Sequence, residues 1–128
     1  PNDPDAYYYR GNAYFYTDRR EGFILAIKDY SKIIELKPDA KSYYNRAGAY
    51  GQVGNYESAI KDYTKAISFD AKDPENYYFR GLAYEQIKDE KNADVDYKAA
   101  CKLGMKDACN VKTGAPKKKE DDGPLIQG

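Results

Sequence analysis

The sequence predicts an all-α protein built from antiparallel helix pairs, and three observations predict it. First, one segment recurs three times, as Tyr7-Tyr8-Tyr9-Arg10-Gly11-Asn12-Ala13-Tyr14, Tyr43-Tyr44-Asn45-Arg46-Ala47-Gly48-Ala49-Tyr50 and Tyr77-Tyr78-Phe79-Arg80-Gly81-Leu82-Ala83-Tyr84. Second, each copy is followed by a second matching segment: Ala26-Ile27-Lys28-Asp29-Tyr30, Ala59-Ile60-Lys61-Asp62-Tyr63 and Ala93-Asp94-Val95-Asp96-Tyr97. Third, small and large residues inside the segments fall at i, i+4 and i+7, the period of a helix face. Tyr7, Gly11 and Tyr14 do so, as do Ala26, Tyr30 and Ile33. Self-similarity at an offset of 36 residues (Arg10 to Arg46) and then 34 (Arg46 to Arg80) marks a stacked repeat.

Taken in order, the pattern predicts helices over 4–17, 22–37, 39–53, 56–69, 74–87 and 90–103, and a short seventh over 105–112. Small residues (Gly11, Ala26, Ala47, Ala59, Gly81, Ala93) recur where paired helices would touch, and tyrosines recur about one turn away. A small residue facing a large ring lets two helices approach closely and still fill the gap. Gly54-Asn55 separates the helices of the middle pair. Pro38-Asp39 and Asp73-Pro74 separate the pairs, each proline near a helix start, where its missing N–H costs little. The first pair carries about three extra residues around Thr17–Phe23, which predicts a longer turn there.

The period, the small-residue and aromatic columns and the proline between pairs resemble the tetratricopeptide repeat, over residues 1 to about 104. The resemblance implies a right-handed superhelix of three antiparallel helix pairs whose first helices line a concave groove, closed by a short C-terminal capping helix. The expected organisation is a repeat domain over 1–112, with repeats at about 4–37, 40–73 and 74–104 and a cap at 105–112, then a flexible tail over 113–128. Pro1-Asn2-Asp3 is similar to the tail that ends a preceding repeat, so further repeats are expected upstream in the full protein.

Composition narrows the function. Lys plus Arg and Asp plus Glu both number 21, a net charge of zero, which argues against a dedicated nucleic-acid binder. The chain has no His and fifteen Tyr. Without His it lacks the commonest general base and metal ligand, and no phosphate-binding glycine loop or nucleophile beside a base replaces them. No enzyme activity, cofactor, metal or small-molecule substrate is expected. No apolar run approaches the ~20 residues that span a bilayer, so no membrane insertion is expected.

Arg10, Arg46 and Arg80 share one column and Asp29, Asp62 and Asp96 another, which predicts that each arginine pairs with an aspartate on the second helix of the same or an adjacent repeat. A stabilising role is the first reading; an arginine ladder for ligand carboxylates is the second. The stripes beside the pairing face predict a peptide-binding groove of Tyr8, Tyr9, Asn12, Phe15, Tyr16, Tyr44, Asn45, Gln52, Tyr78, Phe79 and Leu82, with a low spot at Gly48 and Gly51. Some family members hold a chaperone's C-terminal carboxylate with a Lys/Arg/Asn clamp. Asn12 and Asn45 match that clamp, but Tyr8, Glu75 and Phe79 stand at its basic positions. A ligand with aromatic or aliphatic anchors, extended or helical, therefore fits better.

Cys101 and Cys109 have no Cys-x-x-Cys spacing and too few companions for a metal site. The stretch around them resembles Sel1-like repeats, in which such a pair bridges two helices; two buried thiols are the alternative. A bridge would imply an exported or periplasmic setting, its absence a cytoplasmic one. The tail offers Lys117-Lys118-Lys119 and the apolar Leu125 and Ile126, which would support weak self-association. The leading reading is a protein–protein interaction module acting as scaffold or adaptor. A structural or oligomerisation segment of a larger bacterial assembly is the alternative.

Overall fold

A computed structural model describes residues 2–111, which form seven helices and no strand. These are α1 (Pro4–Phe15), α2 (Arg20–Leu36), α3 (Ala40–Gln52), α4 (Tyr56–Phe69), α5 (Pro74–Gln86), α6 (Glu90–Lys102) and α7 (Lys106–Cys109). Helices α1/α2, α3/α4 and α5/α6 pair, and α2 against α3 and α4 against α5 join the pairs into a right-handed superhelix. The expected tail, with its lysine run and its Leu125 and Ile126, lies outside the described residues.

Local chemistry sets the helix starts. Asp3, Asp39, Asn55, Asp73 and Asp89 each accept a backbone N–H of the first turn with a side-chain oxygen, which satisfies a donor the helix itself leaves without a partner. Within the last two pairs the connecting turns are 53–55 and 87–89, with Gly54 (φ 84°) and Lys88 (φ 66°) in the left-handed region.

The extra residues of the first pair do not lengthen its turn as expected. All three extend the start of α2, placing Arg20 six residues before Ala26 where Tyr56 stands three before Ala59. The connection 16–19 is one residue longer than 53–55 only because α1 ends one residue sooner after its arginine than α3 does. Extending a helix adds a backbone hydrogen bond per residue, whereas a longer loop adds none. Gly22 makes the extension fit: a β-carbon there would overlap Thr17 Oγ1 and the Tyr14 carbonyl oxygen. Phe23 then packs edge-on against Phe15, centroids 5.1 Å apart.

The pairs are held by a repeated contact. Gly11 lies against the Tyr30 ring and Gly81 against the Tyr97 ring; a β-carbon at either would come within 2.9 Å of a ring carbon. The middle pair places buried Ala47 in the same column, in one cluster with Tyr63. Beside each contact an arginine forks onto a buried aspartate of the same repeat. Arg46 Nε and Nη2 donate to Asp62 at 2.7 and 2.9 Å, and Arg80 Nε and Nη2 donate to Asp96 at 2.8 and 2.7 Å. Arg10 does the same to Asp29 at 2.9 and 2.7 Å. The carboxylate bonds push all three guanidinium pKa values further up. Arg46 Nη1 also reaches back to Ser31 Oγ, and Arg80 Nη1 to Thr64 Oγ1, so each ties its repeat to the one before.

At the far end, Cys101 and Cys109 form a disulfide that pins α7 to α6. Helix α7 is shorter than the expected 105–112, a single turn with Ala108 buried beneath it.

Two predictions follow from this framework. Arg46→Leu should strand Asp62 in the interior and lower stability by about 3 kcal/mol, most of it recovered in the Arg46→Leu/Asp62→Leu double variant; urea unfolding of the three proteins measures this. Lys88→Gly should raise stability by about 0.5–1 kcal/mol, because glycine relieves the left-handed backbone at a small cost in unfolded-state freedom; an unchanged urea midpoint would contradict the assignment of that strain.

Candidate functional site

Helices α1, α3 and α5 run side by side, and their faces turned away from the Arg–Asp pairs border a cavity of about 490 Å³. That volume falls in the range of small-ligand and peptide-anchor pockets. One wall is Asn12, Phe15 and Tyr16 of α1; the middle is Tyr44, Asn45, Gly48, Gly51 and Gln52 of α3; the other wall is Phe79, Leu82, Ala83 and Gln86 of α5. The floor comes from the second helices, through Tyr30, Tyr56, Ala59 and Tyr63. No lining residue is charged.

The aromatic residues support one another. Tyr63 and Phe79 stack with ring planes 19° apart, and Tyr44 meets both edge-on at 5.9 and 6.1 Å. Burial pushes the Tyr30, Tyr44 and Tyr63 phenols well above their ordinary pKa, so all three stay neutral hydroxyls at physiological pH. The Tyr30 hydroxyl donates to Asn12 Oδ1 at 2.6 Å, which fixes that amide, and the Tyr44 hydroxyl donates to Glu75 Oε1 at 3.1 Å. Tyr16 stands at the rim, 80% exposed.

The two α3 glycines differ from those at the helix contacts. A β-carbon at Gly48 would meet only Phe15, at an ordinary 3.7 Å, and one at Gly51 would meet nothing within 4 Å. Each costs a helix about 1 kcal/mol relative to alanine. Internal packing therefore does not account for them.

Of the residues expected in the groove, Asn12, Phe15, Tyr16, Tyr44, Asn45, Gln52, Phe79 and Leu82 border this cavity. Tyr8, Tyr9 and Tyr78 are not among its lining residues. Tyr8 lies beneath the Lys41 ammonium, 4.6 Å from its ring centroid, and that neighbour lowers the phenol pKa. Tyr9 stands 69% exposed beside Tyr8. Tyr78 packs against Tyr97 and Phe79. Their column mates Tyr44, Asn45 and Phe79 do line the cavity, so place along the stack, and not the helical face alone, separates them. The floor residues were missed as site residues, because columns that pack helices together also show through where the superhelix opens. Their signal was the tyrosine beside each small residue.

The arginine ladder does not face the cavity; each arginine is bound to its aspartate instead. Among the described residues no group of three or more His, Cys, Asp or Glu is placed to hold a metal ion, and no helix is long and apolar enough to cross a membrane.

Comparison with known proteins agrees with this geometry. Over 48 residues, 37% of the chain, the sequence is 46% identical to the small glutamine-rich tetratricopeptide repeat-containing protein 2 of Mycosarcoma maydis; the match spans 14% of that protein's length. The fold is similar to the Arabidopsis OM64 TPR domain, at 29% identity and a TM-score of 0.76, covering 83% of this chain and 88% of that one. It is similar too to the second TPR domain of human RPAP3, solved in complex with the HSP70 peptide SGPTIEEVD. There the identity is 29% and the TM-score 0.75, covering 84% of this chain and 92% of that one. Residues 40–73 and 74–103, together half of the chain, each match the tetratricopeptide repeat. The repeated sequence, the paired helices and these likenesses agree: the chain belongs to the tetratricopeptide repeat family.

Proposed function

We propose that the protein is an interaction module that takes a peptide segment of a partner protein into the cavity between α1, α3 and α5, as a scaffold or adaptor. The observation that carries this reading is the uncharged, aromatic and amide lining of about 490 Å³. Tyrosine rings with a polar tip, side-chain amides and a small apolar floor are what peptide-binding surfaces use, since each offers contact area and a hydrogen bond together. On this reading residues 1–112 are the binding domain and 113–128 an appended tail. The Cys101–Cys109 bridge supports the likeness of that end to Sel1-like repeats and fits an oxidising compartment.

The relative solved with SGPTIEEVD holds an acidic peptide. For this chain we favour a ligand without a terminal carboxylate. A desolvated carboxylate requires cationic donors, and no lysine or arginine lines the cavity.

Selection of displayed twelve-residue peptides against the intact chain tests the proposal. Peptides recovered in this way, made N-acetylated and C-amidated, should bind the wild type. They should bind at least tenfold more weakly to the Tyr16→Ala/Gln52→Ala/Gln86→Ala variant in fluorescence polarisation. All three residues are exposed, so that variant should stay within about 0.5 kcal/mol of wild type in urea. SGPTIEEVD should bind more weakly than the selected peptides. Equal binding of the selected peptides to wild type and variant would falsify the groove assignment.

A further inference from the structure

The three column-equivalent tyrosines Tyr30, Tyr63 and Tyr97 do not have equivalent hydroxyls. Tyr30 donates to Asn12 and Tyr97 donates to Glu85, each at 2.6 Å. In the middle repeat, the residues in the columns of Asn12 and Glu85 are Gly48 and Gly51. Both potential partners of Tyr63 have thus been reduced to a hydrogen atom. Tyr63 is only 6% exposed and lines the cavity, and its hydroxyl has no hydrogen-bond partner among the described residues. The hydroxyl itself is open to the cavity, since among the described residues the only fully buried side-chain polar atom without a partner is Asn76 Oδ1, so a ligand can reach and satisfy it. The same two glycines cost helix stability, and neither is required by packing.

We infer that this vacant corner of the groove receives the main chain of an internal, uncharged peptide segment, with a backbone carbonyl accepting from the Tyr63 hydroxyl. The inference rests on the proposed groove and specifies what lies at its centre. Gly48 and Gly51 let the ligand backbone come down onto α3, as a side chain at either position would prevent. The neutral Tyr63 phenol is a donor suited to an amide carbonyl. The ligand's apolar side chains then lie against Phe15 on one wall and Phe79 and Leu82 on the other. Charge selects against a chain end: the cavity is neutral, and Glu75 and Glu85 stand at either end of the α5 wall, about 15 Å apart at 1.5 Å per residue. A terminal carboxylate would meet repulsion there, whereas an internal segment carries no such charge.

The test uses the intact 128-residue chain and the N-acetylated, C-amidated peptides from the display selection. Gly51→Ala and the Gly48→Ala/Gly51→Ala double variant should melt at or above the wild-type temperature, because alanine favours the helix and meets no clash. Their peptide affinity should nevertheless fall at least tenfold for the double variant. Tyr63→Phe keeps the ring and should also melt no lower, while losing about three- to tenfold in affinity, the range of one neutral hydrogen bond. Opposite signs for stability and binding are the signature, since a merely structural role would move both together. If these variants bind the peptides as wild type does while the Tyr16→Ala/Gln52→Ala/Gln86→Ala variant does not, the backbone-docking inference is overturned and the groove stands. If no peptide is recovered, or none responds to any of these variants, the groove itself is overturned and the inference with it.

Discussion

The fold depends on how closely the two helices of each repeat can approach, and one contact decides it. A tyrosine of the second helix lies flat against a residue of the first that must be glycine or alanine: Gly11 under Tyr30, Ala47 with Tyr63, Gly81 under Tyr97. With rings this close to the backbone, the helices are locked in position, and each pair becomes a wedge of fixed shape. Stacking equal wedges produces the superhelix, and its open side becomes the cavity. The site is thus a consequence of the packing rule, since the same tyrosines that set the helix spacing also form its floor.

The Arg–Asp forks accompany that contact and add direction along the stack. Each aspartate is buried, so each requires its arginine, and removing one partner is far more costly than removing both. The arginines themselves differ: Arg46 and Arg80 are 20% and 18% exposed, Arg10 is 58% exposed. The difference follows from the extra bond to Ser31 or Thr64 of the preceding repeat and from the second tyrosine ring over each guanidinium, at Tyr50 and Tyr84.

The cavity lacks the cationic groups that recognition of an acidic peptide requires. Its surface is neutral, its hydrogen-bonding groups are amides and hydroxyls, and Glu75 and Glu85, which are not among its lining residues, accept bonds from Tyr44 and Tyr97. Under the proposed function such a surface would select by shape and by hydrogen bonds to a peptide backbone, because it has no cation to offset a buried negative charge.

Sequence by itself determined the helix pairs, the order of the elements and the two columns that form the ion pairs, because each is fixed by a column that repeats and by the 3.6-residue period; that each arginine meets the aspartate of its own repeat came from the packing. It also brought Asn12, Phe15, Tyr44, Asn45 and Phe79 together, since they fall on faces that the paired helix cannot cover, and they border one cavity. Three matters were decided only by the tertiary structure. The extra residues of the first repeat became helix at the start of α2, because Gly22 lets that turn pass against α1. Tyr8 and Tyr78 sit against Lys41 and neighbouring rings while Tyr44, in the same column, lines the cavity, because only the middle repeat has a first helix on both sides, and a column in the sequence does not distinguish those places. The hydroxyl of Tyr63 has no partner among the described residues, because the positions that would supply one lie on a different helix, and only the packing of α4 against α3 brings two glycines to that place.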